Sequence, residues 1–170
     1  HTMIRQAIAS DDPVLFFEPK RRYWAKGEVD ENDLSMPLSA ARVVREGTDA
    51  TLVTYGPLVA TALDAAVAAE DDGVSLEVID LRSVSPIDFP AVVESVSRTG
   101  RLVVAHEAPM FLGAGAEIAA RVTEECFYHL EAPVLRVGGF HMPYPVSKVE
   151  AQYLPAIDKL LEALDRSFAY

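Results

Sequence analysis

Apolar and polar positions alternate along this chain in two rhythms. Residues 50–55, 75–81, 102–105 and 134–137 form short apolar or alternating runs of strand length, suited to a sheet covered on both faces. Between them the spacing widens to that of helices. Pro57 opens a stretch that reaches about residue 70 and stops near Gly73, with Val59, Ala62, Leu63, Ala66 and Ala69 on one face. Asp88 reads as an N-cap, Pro90 stands in the first turn and Gly100 lies just past the end, framing a helix through Val92, Val93 and Val96, with Ile87 placed to staple to Val92. Ile118, Val122 and Cys126 recur every four residues, opposite Glu117, Arg121, Glu124 and Glu125. A last helix from about residue 155 carries Ile157, Leu160, Leu161 and Leu164.

The stretch 101–140 is strand, helix, strand, which predicts a right-handed βαβ unit with parallel strands and an α/β fold. Residues 41–45 alternate and suit an edge strand. The beginning of the chain reads differently. Residues 3–9 look like the tail of a helix, Ser10-Asp11-Asp12-Pro13 is a turn, and residues 14–17 (VLFF) predict a buried strand. The polar stretch 20–37 has no period and reads as a linker. The expected organisation is the remnant of one domain at 1–19, a linker at 20–37 and a second domain at 38–170; His1-Thr2 reads as a severed start.

Composition narrows the function. Half of the 170 residues are apolar, and no run approaches the roughly 18 that a membrane span needs. The net charge of −11 repels phosphate backbones, so neither nucleic acid nor membrane is an expected partner. Cys126, the single cysteine, sits on the apolar stripe of its helix and is expected to be buried and inert; with no signal-peptide pattern, a cytoplasmic location follows. The four histidines show no metal-ligand spacing.

Candidate chemistry is sparse. Gly113-Ala114-Gly115 stands where a dinucleotide fingerprint would, but Ile118 occupies the position that calls for a small residue, so a structural turn is the better reading. Tyr55-Gly56-Pro57 precedes a helix but lacks the lysine or serine of a phosphate cradle. His106 and Glu107, at a strand end, point apart as sequence neighbours and cannot act as a dyad with each other; loop-fixing or interface hydrogen bonds fit them better. Lys20-Arg21-Arg22 is expected to pair with acidic neighbours or with another subunit. A nucleotide-binding enzyme of doubly wound type and a small hydrolase using His106 remain as alternatives.

Several phrases occur together in order: Phe16-Phe17-Glu18-Pro19-Lys20, Val53-Thr54-Tyr55-Gly56, Glu77-Val78-Ile79-Asp80-Leu81-Arg82, His106-Glu107-Ala108-Pro109, Glu124-Glu125-Cys126-Phe127, Leu130-Glu131-Ala132-Pro133 and Pro143-Tyr144-Pro145. Through them the chain resembles the C-terminal half of the beta subunits of 2-oxo acid dehydrogenases, with wording nearer the branched-chain than the pyruvate type. The resemblance implies a three-layer α/β domain like the last domain of transketolase: a mostly parallel sheet, helices on both faces and one antiparallel edge strand. It implies a thiamine-diphosphate and magnesium enzyme assembled as α2β2 from an alpha subunit and two beta subunits, decarboxylating a 2-oxo acid and acylating a lipoyl group. In that family the cofactor and catalytic histidine belong to the alpha subunit and the beta subunit's N-terminal domain. No catalytic or cofactor-binding residue is therefore expected here, and this chain alone is expected to be inactive.

The resemblance also implies docking. The acid of the LEAP segment, here Glu131, and the terminal carboxylate, here that of Tyr170, would grip basic groups on the subunit-binding domain of the dihydrolipoyl acyltransferase core. Finally it places part of a potassium cage at the carbonyls of Ala7 and Ser10 and the side chain of Asp12, a site expected to be incomplete and empty.

Overall fold

A computed structural model describes residues 1–29 and 36–170, so the central part of the expected linker, 30–35, lies outside the described residues. One five-stranded sheet organises the chain: β1 (Arg42–Arg45), β2 (Ala50–Thr54), β3 (Leu76–Asp80), β4 (Leu102–Pro109) and β5 (Leu135–Gly139) stand in the order β1-β3-β2-β4-β5. β1 runs antiparallel to β3, and every other pairing is parallel. The expected mostly parallel sheet with one antiparallel edge strand is what the chain forms.

Pleating decides which residues meet which helices. In β2, β3 and β4 neighbouring residues point to opposite faces, so Leu52, Val78 and Val103 join one core and Val53, Ile79 and Val104 the other. The first core is closed by α2 (Leu58–Asp71) and α6 (Ile157–Phe168), through Ala62, Ala65, Ala66, Leu160 and Leu164. Alanines on α2 let the helix lie close to the sheet. α3 (Phe89–Thr99) and α4 (Ala114–Cys126) close the second with Val92, Val96, Ile118, Val122 and Cys126. Buried Cys126 packs there as a small apolar side chain, its Sγ 3.7 Å from the carbonyl of Val93.

The caps hold as the sequence implies. Asp88 accepts a hydrogen bond from the Ala91 amide at 3.3 Å, and its other carboxylate oxygen accepts one from the Ala41 amide at 2.8 Å, tying the start of α3 to the entry of β1. Gly100 ends α3 with φ +70, a conformation that favours glycine. Pro57 is itself the N-cap of α2, so the helix begins at Leu58, one residue later than expected.

Three expectations need correction. Residues 14–17 form no strand and take no place in the sheet; Leu15 and Phe17 are 85% and 81% exposed. Their β-rich composition sets a local preference, but a strand needs a ladder partner, and none of the described strands lies beside them. β4 does not break at His106 but continues to Pro109, because the register shifts against β5 between Ala105 and Pro109 and pairing resumes at Gly139. The loop before the last helix contains a 3₁₀ turn (Ser147–Val149) and a short α5 (Glu150–Tyr153), anchored by buried Tyr153. At the start, α1 (Thr2–Ala9) matches the expected helix tail.

Candidate functional site

The carboxyl ends of parallel strands are the usual ligand crevice of an α/β sheet. Here, at the ends of β4 and β5, that crevice is filled by protein. His106 is completely buried, its Nδ1 lies 2.9 Å from the Ala108 carbonyl, and the Tyr55 ring stacks at 6.2 Å. The glycines around it exist to make room. A Cβ on Gly113 would lie 2.6 Å from His106 Cε1, one on Gly115 2.7 Å from Nε2, and one on Gly138 3.2 Å from Cε1. Gly113-Ala114-Gly115 is thus a seat for an imidazole and not a cradle for a diphosphate.

With Nδ1 directed at a carbonyl, Nε2 is left as the acceptor, and no partner meets it among the described residues. It faces the first turn of α4, whose amides carry positive partial charge. Burial pushes the imidazole below the ordinary histidine value; the hydrogen bond to Ala108 opposes this, and the charge of Arg136 adds to it. A buried histidine ties down the irregular end of β4, where the register shifts. Glu107 points outward instead and pairs with Arg21, so the basic cluster at 20–22 does find an acidic neighbour.

Glu131 and the end of α6 lie at the amino-terminal ends of β4 and β5, the opposite end of the same strands. Glu131, 65% exposed, stands just before β5, and Tyr170 ends the chain beyond α6. One side chain joins their two elements. Arg101, immediately before β4, places Nη1 3.1 Å from Glu131 Oε2 and stacks its guanidinium 4.8 Å from the centroid of Phe168, in the last turn of α6. Nη1 is an ion-pair partner without hydrogen-bond alignment. Beside Glu131 runs an open groove of about 870 Å³, floored by Ala116, Ala119, Ala120 and Phe127. Arg101 was not singled out by its sequence; its only signal is a charged residue wedged between a helix-ending glycine and a buried strand.

Ala7 lies in the last turn of α1, Ser10 is its C-cap, and Ser10 Oγ accepts from the Asp12 amide at 3.1 Å. No group of three or more His, Cys, Asp or Glu side chains able to hold a metal occurs among the described residues. Nor is any helix among them long and apolar enough to cross a membrane.

Comparison with known proteins agrees with this architecture. The family model of the transketolase C-terminal domain matches residues 39–160. A pyruvate dehydrogenase E1 component subunit beta of Leifsonia xyli is 58% identical, over 99% of this chain and 50% of its own length. The 3-methyl-2-oxobutanoate dehydrogenase subunit beta of Mycobacterium tuberculosis is 53% identical, over 96% of this chain and 47% of its own. Among solved structures, a split gene transketolase described as an inactive beta4 tetramer superposes with a TM-score of 0.70 at 30% identity, covering 84% of this chain and 46% of that one. The chain spans about half the length of the curated relatives it matches.

Proposed function

This chain belongs to the transketolase C-terminal domain family, and from that membership we propose that it is the assembly and docking part of the beta subunit of a 2-oxo acid dehydrogenase. The observation that carries this reading is likeness along nearly the whole chain to proteins named as such subunits. The parent enzyme takes branched-chain 2-oxo acids, as the name of the Mycobacterium tuberculosis relative supports. Pyruvate is the second reading, favoured by the Leifsonia xyli relative. Oxidation of each substrate by the assembled complex separates the two.

Thiamine diphosphate and magnesium do not fit the residues described: the one glycine-rich turn before a helix is occupied by His106, and no cluster of metal-binding side chains is found among them. In this reading the cofactor is held by the alpha subunit and by the other half of the beta subunit, in a cytoplasmic α2β2 assembly. The exposed apolar run 14–17 supports a division at about residue 19, since Leu15 and Phe17 then have that other half to pack against. Ala7, Ser10 and Asp12 would supply only part of a potassium cage. Mixing this chain with the alpha subunit, thiamine diphosphate, magnesium and a branched-chain 2-oxo acid is expected to give no decarboxylation; product formation would overturn the reading.

Docking is assigned to Glu131 and the terminal carboxylate of Tyr170, which meet basic groups on the subunit-binding domain of the acyltransferase core. Carboxylates closing on arginine form charge-assisted hydrogen bonds. Close charge pairs at interfaces couple by roughly 1.5–7 kcal/mol, against about 0–1 kcal/mol for an exposed pair within one chain. Glu131→Ala is expected to weaken binding of that domain at least tenfold, or about 1.4 kcal/mol, by calorimetry at low salt. Unchanged affinity would remove Glu131 from the interface.

A further inference from the structure

We propose that Arg101 is the positioning residue of this docking patch: it holds Glu131 and the end of α6 against one guanidinium, so that the glutamate and the last turn of α6 are presented together to a basic partner. The inference rests on the docking reading above. The Arg101 side chain is 13% exposed and that of Glu131 65%, so the arginine is the inner member of the pair and the glutamate the outer. Oε2 of Glu131 faces Arg101 at 3.1 Å. The backbone on both sides is fixed as well, since the Glu131 amide donates to the Gly100 carbonyl at 2.8 Å.

The other face of the guanidinium is covered by Phe168, two residues before the terminus. Chain ends fray unless something ties them down. A planar guanidinium can stack on a ring and meet a carboxylate at its edge at once, which a lysine ammonium cannot. A buried arginine that lost Glu131 would leave its charge without an anionic partner, so Arg101 works as a strut and does not leave its place when the partner binds. Fixing Glu131 and the last turn of α6 beforehand reduces the ordering cost of association.

The test is calorimetric titration of the acyltransferase subunit-binding domain into this chain and its variants. Arg101→Met and Phe168→Ala are each expected to weaken binding at least fivefold, and the double variant to bind no more than twofold worse than Arg101→Met, because both act through one contact. Arg101→Lys, which keeps the charge but not the stacking, should fall between wild type and Arg101→Met. Hydrogen exchange at the Ala169 amide, which donates to Asp165, should accelerate in Arg101→Met and Phe168→Ala while the thermal midpoint of Phe168→Ala stays near that of wild type. If Arg101→Met binds as well as or better than wild type while Glu131→Ala weakens binding, Arg101 is a bystander or a competitor and the inference falls. If neither changes affinity, the docking reading itself fails. Should Arg101→Met not fold, Phe168→Ala decides alone, its side chain being partly exposed; unaltered binding by it overturns the strut.

Discussion

Arg98→Met is expected to lower the unfolding free energy at pH 7 by roughly 3 kcal/mol, the low end for breaking a buried ion pair because half of the arginine is exposed. Glu77 lies in β3 with its side chain wholly buried. Both its oxygens accept from Arg98 Nη2, at 2.7 and 2.6 Å, and Ser95 Oγ donates to one of them at 2.5 Å. Thr51 extends the cluster to Ser95 at 2.6 Å and to Thr99 at 2.7 Å. Gly47 closes it, since a Cβ there would lie 2.1 Å from the Glu77 nitrogen.

Burial pulls the Glu77 carboxyl upward, but hydrogen bonds from Arg98 and Ser95, the Arg98 charge and the Gly47 backbone outweigh it and hold the group below the usual glutamate value. Its stabilising contribution is therefore present above the unfolded value, about 4.3, and lost as pH falls through the folded one. Without Arg98 the desolvation dominates and the direction reverses: the buried group then prefers its neutral form, and its contribution fades as pH rises. Urea unfolding at several pH values should show the gap between wild type and Arg98→Met narrowing from pH 7 to pH 4. A gap of constant size would mean that lost packing, not a stranded carboxylate, sets the cost.

The sheet was legible because its rules are local. Continuous apolar runs in β2 and β4 follow from covering both faces, and the Asp88 and Gly100 caps follow from backbone valences that any helix end must meet. Residues 14–17 misled for the complementary reason: composition states what a segment prefers, while a strand exists only where a neighbour offers hydrogen bonds. The docking role proposed for Glu131 comes only from family likeness, as Glu131 alone is one surface acid among many. Arg101 escaped notice because its role arises from three elements, the start of β4, the residues before β5 and the end of α6, that meet only once the sheet is formed. His106 fills the carboxyl ends of β4 and β5, while an open groove of about 550 Å³ remains beside Glu107, between the start of α2 and the entry to α6.

Acid should destabilise this fold through His106 well before its carboxylates titrate. The imidazole is completely buried, and burial together with Arg136 depresses its value in the folded chain. A depressed histidine stabilises the fold fully above its unfolded value of about 6.5 and progressively less as pH falls through the window beneath. Within that window unfolding should become easier by up to about 1.4 kcal/mol per pH unit. Room for a charged ring is lacking: Gly113, Gly115 and Gly138 already stand closer than a methyl group would allow, and the first turn of α4 presents positive partial charge to Nε2. Guanidinium unfolding from pH 7.5 to 5.0 should show this decline in wild type. His106→Gln is expected to be less stable at pH 7.5 by roughly 1–3 kcal/mol, because the ring's packing is lost, yet nearly flat between pH 6.5 and 5.0. An equal slope in the variant would place the titrating group elsewhere, and His106 would then be only a well-packed side chain.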